Sequence, residues 1–327
     1  MQSNSYLTAI ENFSRSSVLV IGDLMLDAYV WGDTVRISPE APVPVVEVQS
    51  QEHMPGGAAN VARNLRELGA KVWVAGLIGL DSEGTLLKEK LASSGIHTDL
   101  ILSLPSRPTS VKTRIIARNQ HVVRYDREET EAIPEDTADR LVASLADNST
   151  WDGIIIEDYN KGLFTSYVIT RILDFAHERS IPVYVDPKWE EFRSYKGVRL
   201  FKPNWGEFHA VVGPSRSDEE FLTRGRSFRA EQELDILMVT RGKEGVTLFA
   251  DDLVFTIPTH ARQVHDVSGA GDTVIATFTL GDLNRLTPEE SARLANLAAG
   301  IVCEEVGVVP ITKSGLIQRL HEIQPED

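Results

Sequence analysis

The segment Asp266-Val267-Ser268-Gly269-Ala270-Gly271-Asp272-Thr273 holds the residues best suited to chemistry. Small residues at Gly269, Ala270 and Gly271 let the backbone approach a ligand closely. The apolar helical stretch Val274–Leu280 follows, and a helix start offers N–H groups with no partner of their own. Together these features make an anion hole suited to a transferring phosphoryl group. Asp272 stands where its carboxylate could take the proton of a substrate hydroxyl, which is general-base work. On these residues alone a plain helix cap, with Asp272 bonded locally, stays ahead. The segment is not a dinucleotide fingerprint, because its third glycine is missing and it lies late in the chain. No GxxxxGK[ST] sequence occurs, which disfavours a P-loop nucleotidase.

Such a loop needs a scaffold. Ser17–Ile21 is a short β-branched run that reads as a buried parallel strand, and similar runs occur at Lys71–Gly76, Gly153–Ile156, Pro182–Val185 and Ile236–Thr240. Helical patterns lie between most of them, at Ala58–Leu68, Glu83–Ala92, Glu135–Leu145, Ser166–His177 and Asn204–Val211. The alternation predicts an α/β fold of three layers, a mostly parallel central sheet covered on both faces. Two stretches break the rhythm. Pro42–Val48 alternates like a half-exposed strand, and Ser110–Ala117 with His121–Tyr125 reads as a hairpin around Arg118-Asn119-Gln120. They predict a small β-lid, in segments of about 30–50 and 108–126, that excludes water from the reaction. The alternative is an antiparallel edge of the main sheet. The whole of 1–327 is expected to form one domain.

Composition narrows the classes. Apolar residues make up 42% and charged residues 25%, an ordinary soluble balance, and the net charge of -15 offers no broad face to nucleic acid or to an anionic membrane. No apolar run approaches the length of a membrane span, and the first residues lack the apolar core of a signal peptide. One cysteine, Cys303, cannot form an internal disulfide, which fits a reducing cytoplasm. Its neighbours read as a buried helix face, so packing is favoured over reactivity. Against the acidic background the hairpin gathers Lys112, Arg114, Arg118 and Arg124, and Lys161 and Lys188 follow strands. Such cations suggest an anionic ligand, with Arg118, Arg124 and Lys161 chosen for a substrate phosphate. The alternative is a set of solvated charges pairing with Asp126, Glu128 and Glu129. Asp27 follows the first strand, where a carboxylate can accept two sugar hydroxyls or simply cap a turn.

Asp266–Asp272 resembles the C-terminal signature of the ribokinase-like (PfkB) carbohydrate kinases, and Pro55-Gly56-Gly57-Ala58-Ala59-Asn60-Val61-Ala62 resembles their N-terminal signature. The resemblance implies a ribokinase-like fold and ATP-dependent phosphorylation of a sugar. Gly269, Ala270 and Gly271 would form the anion hole, Asp272 would be the base, and Gly56, Gly57 and Asn60 would line the sugar site. Asn204-Trp205-Gly206-Glu207 resembles the family's Asn-x-x-Glu motif, linked to Mg²⁺ and phosphate placement, with Glu207 on the metal side. The same residues could form a capping box, and both readings can hold together. Thr240-Arg241-Gly242 resembles the strand end that touches the nucleotide, and Asn296, in Ser291–Val302, would border the adenine pocket. Lys188 would serve the nucleotide or the sugar phosphate. Lys202 stands where a small polar residue is common, and reads either as a phosphate contact or as a solvated lysine.

A narrower resemblance runs from about Ser17 to Thr312. Gly22-Asp23-Leu24-Met25-Leu26-Asp27, Arg36–Val46, Asp158-Tyr159-Asn160-Lys161-Gly162 and Asp186-Pro187-Lys188 are similar to the heptose 7-phosphate kinases. Those enzymes phosphorylate D-glycero-D-manno-heptose 7-phosphate at O1, on the route to ADP-heptose and the lipopolysaccharide core. Many continue into a nucleotidyltransferase domain, and none follows here, so a separate nucleotidyltransferase is expected. Gly307-Val308-Val309-Pro310 departs from the family's small and hydroxyl residues, which weakens a monovalent-cation site. The alternatives are another kinase of this fold, acting on fructose, ribose, a nucleoside or another phosphosugar, and a non-catalytic nucleotide- or sugar-binding protein. The intact Asp272 argues against a mere binder. Exposed lid strands could pair two copies into a homodimer.

Overall fold

The computed structural model describes residues 2–118, 120–146, 151–259, 266–305 and 307–323; Asn119, the middle of the expected hairpin turn, lies outside them. The chain begins with α1 (Gln2–Asn12), β1 (Ser17–Gly22), β2 (Leu24–Ile37), β3 (Pro44–Gly57), α2 (Ala58–Glu67), β4 (Lys71–Gly79), α3 (Ser82–Ser93) and β5 (His97–Leu104). It continues through β6 (Ser110–Ala117), β7 (Gln120–Arg127), α4 (Glu135–Ala146), β8 (Gly153–Glu157), α5 (Ser166–Glu178), β9 (Val183–Asp186) and β10 (Leu200–Phe201). The last elements are α6 (Trp205–Val212), α7 (Asp218–Glu231), β11 (Ile236–Thr240), β12 (Val246–Ala250), β13 (Leu253–Ile257), α8 (Ala270–Leu283), α9 (Pro288–Val302) and α10 (Lys313–Ile323).

A nine-stranded sheet runs in the order β13-β12-β11-β10-β9-β8-β1-β4-β5. From β11 to β5 every neighbouring pair is parallel, while at one edge the β11–β12 and β12–β13 pairs are antiparallel. Side-chain alternation explains why both faces are covered. In β1, Val18 and Val20 join one buried cluster while Leu19 and Ile21 join the other. The first cluster includes residues of α1, α2, α8, α9 and α10, and the second includes residues of α4, α5, α6 and α7. The expected three-layer α/β architecture is therefore present. After β1 the chain builds outward through β4 and β5, then returns to add β8 on the other side of β1. That reversal is a topological switch point, and ligands bind beside the carboxyl ends of strands at such points.

A separate four-stranded sheet, β3-β2-β6-β7, forms the lid. It is longer than the expected segments, because a single residue, Asp23, separates β2 from β1, and β2 pairs with β3 from Leu24–Gly57 out to Ile37–Pro44. Asp27 therefore lies within a strand and not in a turn. The expected hairpin is present as β6 and β7, and Arg118 turns it with a φ of 50°. The strand expected at Pro42–Val48 begins at Pro44 and runs on to Gly57. Cys303 is buried at the end of α9, in keeping with packing. Among the described residues no helix is long and apolar enough to cross a membrane.

Candidate active site

Three strand ends set the floor of the site. Gly22 pairs in register with Glu157, and Glu157 with Asp186, so the ends of β1, β8 and β9 lie side by side. A Cβ on Gly22 would stand 2.5 Å from the Glu157 carbonyl oxygen and 2.7 Å from Ala58 Cβ. Glycine is what lets α2 approach β8 across β1.

Above this floor starts α8. Gly269 caps it in the left-handed region, with φ 79°, and Gly271 and Asp272 fall in its first turn. A Cβ on Gly271 would lie 3.5 Å from Lys202 Nζ, so the glycine-rich turn sits against a buried ammonium. Lys202 is 2% exposed and ion-paired to Asp186 at 2.6 Å, which excludes the solvated-lysine reading. Asp272 is buried. Its Oδ2 accepts from Asn60 Nδ2 at 2.7 Å, and its Oδ1 accepts from the Tyr159 hydroxyl at 3.0 Å. Burial, helped by the nearby Asp186 carboxylate, pushes its pKa up to about 6, while the Asn60 and Tyr159 hydrogen bonds and Lys202 restrain the rise. A carboxylate with that pKa is ionised near neutrality yet more basic than an ordinary aspartate, which suits a general base.

Two clefts meet at Asp272, sharing Tyr159 and Gly269 as well. The larger, about 600 Å³, is lined by Gly269, Ala270, Gly271, Lys188, Lys202, Asn204, Glu207, Thr240, Gly242 and Asn296. All the residues expected to serve a nucleotide thus share one cleft. Asn204 caps α6, and its side chain and that of Glu207 form the anticipated capping box. The other Glu207 oxygen accepts from Lys188, whose ammonium also lies 5.2 Å from the Tyr159 ring centroid. Opposing carboxylates outweigh burial and raise the Lys188 pKa, so this cation stays charged. Asn296 Nδ2 donates to the Pro258 carbonyl at 2.7 Å.

The smaller cleft, about 240 Å³, lies between the lid and α8. Asp27, Gly56, Gly57 and Asn60, the residues singled out for a sugar, all line it. A Cβ on Gly56 would sit 2.2 Å from Asp27 Oδ2, so that glycine makes room for the carboxylate. Asp27 is ion-paired with Arg114, which also packs over the Tyr29 ring at 5.2 Å. Asn60 Oδ1 is buried with no hydrogen-bond partner among the described residues.

The lid divides the expected cations. Lys112, Arg114 and Arg124 all line the smaller cleft. Strand alternation puts Lys112 and Arg114 on one face, and the hairpin register sets Arg114 opposite Arg124. Arg118 stands exposed at the turn and lines neither cleft. Lys161 pairs with Glu128 at 2.7 Å and lines a crevice beside Asp23 and Arg107 instead. Sequence reasoning passed over Tyr159 and Glu157. Tyr159 lay inside a quoted motif, and Glu157 was visible only as an acid directly after an apolar strand. A groove of about 780 Å³ also opens near Pro182, at the opposite strand ends. It has no glycine-rich turn, and its Arg199 is tied to Asp282 at 2.7 Å.

A glycine-rich helix start, a buried carboxylate and two clefts converging on it, on a mostly parallel sheet, are an arrangement suited to moving a phosphoryl group onto a small hydroxyl compound. The chain belongs to the pfkB family carbohydrate kinases, whose profile matches residues 15–313. It is an ATP-dependent carbohydrate kinase with a ribokinase-like fold. Among curated proteins it is 42% identical over 307 residues to the bifunctional protein HldE of Geobacter sulfurreducens, and 40% identical over 306 residues to that of Klebsiella pneumoniae. Each alignment covers 93% of this chain and 63% of the relative, so the chain spans about 63% of the length of these relatives. The Arabidopsis thaliana ribokinase complexed with ribose and ATP superposes with a TM-score of 0.72 at 19% identity, covering 93% of this chain and 98% of the other. The tetrameric inhibited form of phosphofructokinase-2 from Escherichia coli gives 0.79 at 16%, covering 94% and 99%. These structures share the fold.

ATP use in this family involves a divalent metal. Glu207 is engaged by Lys188 and by the Asn204 backbone N–H. Glu157, Asp186 and Asp272 each offer a carboxylate oxygen, and these oxygens lie within 4.8 Å of one another. An oxygen-only donor set suits a hard divalent cation.

Proposed function

We propose that this kinase transfers the γ-phosphoryl group of ATP to O1 of D-glycero-D-manno-heptose 7-phosphate, giving the 1,7-bisphosphate on the route to ADP-heptose. The observation that carries the reading is the pairing of clefts. The one lined by Asp27, Gly56 and Asn60 also gathers Lys112, Arg114 and Arg124, and it opens onto Asp272. A neutral sugar needs hydroxyl partners, whereas a phosphosugar also needs cations. Similarity to HldE at 40–42% identity supports the same substrate.

In this mechanism Asp272 takes the proton of the anomeric hydroxyl as O1 bonds to the γ-phosphorus and the bond to the β-phosphate oxygen breaks. At the start of α8 the N–H groups of Gly269 and Gly271 face the charge on the transferring group, while that of Ala270 donates to the Val267 carbonyl at 3.2 Å. Asn60 and Tyr159 orient Asp272 through its two oxygens. Lys188, Asn204, Thr240, Gly242 and Asn296 hold the nucleotide. Glu207 would help hold a Mg²⁺ ion, which would supply charge neutralisation at the β- and γ-phosphates. Arg124, with Lys112 and Arg114 beside it, holds the 7-phosphate, a better-placed set than Arg118 and Lys161.

Residues 1–327 act as one kinase domain in the cytoplasm, and a nucleotidyltransferase consumes the product. The lid exposes Val35, Ile37, Val43, Val48 and Tyr125, apolar surface that a second copy of the chain would cover in a homodimer. The test of substrate is ADP release with heptose 7-phosphate, the unphosphorylated heptose, ribose, fructose and fructose 6-phosphate. The highest kcat/KM is expected for heptose 7-phosphate. Equal turnover of the unphosphorylated heptose, or a preference for ribose or fructose 6-phosphate, would reject the assignment.

A further inference from the structure

Asp23 is the only residue between β1 and β2, so the chain passes from the main sheet into the lid through it. It is buried, at 5% exposure, and lines neither of the two clefts that meet at Asp272. Its hydrogen bonds nevertheless reach both segments that hold Asp272. The Asp23 N–H donates to the Glu157 carbonyl at 3.1 Å, and the Asp23 carbonyl accepts from the Ala58 N–H at 3.2 Å. That second bond fixes the first residue of α2, the helix that carries Asn60. The side chain serves the other segment. Its Oδ2 accepts from the Tyr159 N–H at 2.8 Å and from the Lys161 N–H at 3.2 Å.

The segment after β8 needs such an acceptor. Residues 159–161 belong to neither strand nor helix, so no ladder takes up their N–H groups. Side chains accept them instead: Asp158 Oδ1 for Asn160, and Asp23 Oδ2 for Tyr159 and Lys161. A carboxylate is a stronger acceptor than a neutral oxygen, so Asp23 sets the main chain at Tyr159 firmly. The Tyr159 hydroxyl then meets Asp272 Oδ1 at 3.0 Å, while Asn60 meets Oδ2 at 2.7 Å. Both partners of Asp272 are thus referred to one residue at the root of the lid, just ahead of Met25 and Asp27, which line the smaller cleft.

We propose that Asp23 is a positioning residue for phosphoryl transfer: its carboxylate sets Tyr159, and through Tyr159 the carboxylate of Asp272, against the strand that carries Asp27. It touches neither nucleotide nor sugar. The inference rests on Asp272 as the base and holds whichever sugar the enzyme uses.

The test follows coupled ADP release from the full chain, with the acceptor of highest kcat/KM in the substrate comparison. Asp23→Ala removes the acceptor of two N–H groups. A displacement of about 1 Å costs on the order of 10²-fold, so kcat should fall by about tenfold or more while KM for ATP holds. Asp23→Asn keeps an oxygen in the same place and should recover most of that loss. In a Tyr159→Phe background the link to Asp272 is already cut, so Asp23→Ala should cost markedly less there than in the wild type. A purely structural role would leave the two losses independent. A circular-dichroism melt checks that the alanine variant is folded. If it is not, Asp23→Ser, whose hydroxyl stops one bond short of the carboxylate oxygens, takes its place with the same expectations. Wild-type kcat in a folded variant overturns the proposal. So does an equal loss in Asp23→Asn, and so do losses that simply multiply with that of Tyr159→Phe. Failure of the base assignment would show separately, as turnover retained by Asp272→Asn.

Discussion

Replacing Asp272 with asparagine should separate activity from stability. The amide keeps the shape of the side chain. Its oxygen can still accept from Asn60 Nδ2, and the Tyr159 hydroxyl can rotate to accept from the new amide nitrogen, so both contacts survive. What disappears is the buried charge. The native pKa of about 6 lies above the ordinary value of 3.8, so the protonated acid is the form that folding favours. Its contribution is fully present below pH 3.8 and is lost as pH rises through about 6. Near pH 7.5 the ionised group therefore costs the native state about 3 kcal/mol, at 1.36 kcal/mol per pKa unit. An uncharged amide avoids that cost, so Asp272→Asn should melt at the wild-type temperature or above it. Turnover should move the other way. Losing a general base costs ~10²–10⁴-fold in rate, or about 3–5 kcal/mol of barrier. The assays are coupled ADP release for kcat, calorimetric titration for ATP affinity, and a thermal melt at pH 7.5. A variant within tenfold of wild-type kcat would refute the base assignment. A large fall in melting temperature would refute the argument that burial of the charge is the dominant cost.

Other expectations follow from the same geometry. With Asp272 as base, kcat/KM should fall tenfold per pH unit below about 6, where the carboxylate takes up its proton, and the residual activity of Asp272→Asn should lack that limb. A flat wild-type profile down to pH 5 would contradict it. Gly56→Ala places a Cβ 2.2 Å from Asp27 Oδ2 and should displace that carboxylate. A shift of roughly 1 Å costs on the order of 10²-fold, so kcat/KM for the sugar should drop by about that much while KM for ATP holds. Gly225→Ala would set a Cβ 2.3 Å from Phe249 Cζ. Overpacking of about 1–3 kcal/mol exceeds the roughly 0.5–1 kcal/mol of helix gain, so a melt should show net loss with kinetics unchanged.

The sequence was most readable where local rules govern. The parallel strands were visible because burial on both faces turns them into unbroken apolar runs, as in Ser17–Ile21. Gly269–Gly271 stood out because close approach demands small residues, whereas Asn60 and the role of Asp272 came forward only through the family resemblance. Long-range pairing hid the rest. The strand β2 carries Asp27, Gly32 and Asp33, which break any local pattern, and only pairing with β3 and β6 makes it regular. Two-residue β10 is too short to leave a pattern, so the burial of Lys202 just after it could not be read. The choice between Arg118 and Arg114 turned on hairpin register, which a turn of unknown shape leaves open. The turn was placed at Arg118-Asn119-Gln120, but the register shift between Ile115 and Ile116, which sets Arg124 opposite Arg114, leaves no mark in the sequence.

The lid's independence from the main sheet bears on how such an enzyme can change its diet. The side chains facing the smaller cleft from the lid are Met25 and Asp27 of β2, Lys112 and Arg114 of β6 and Arg124 of β7, and the sheet that carries them shares no strand with the one beneath α8. Substitution along one face of one hairpin can therefore redraw which acceptor is admitted, while the anion hole, Asp272 and its two orienting partners stay as they are. Selection can explore new acceptors at a handful of alternating sites without passing through a catalytically dead intermediate.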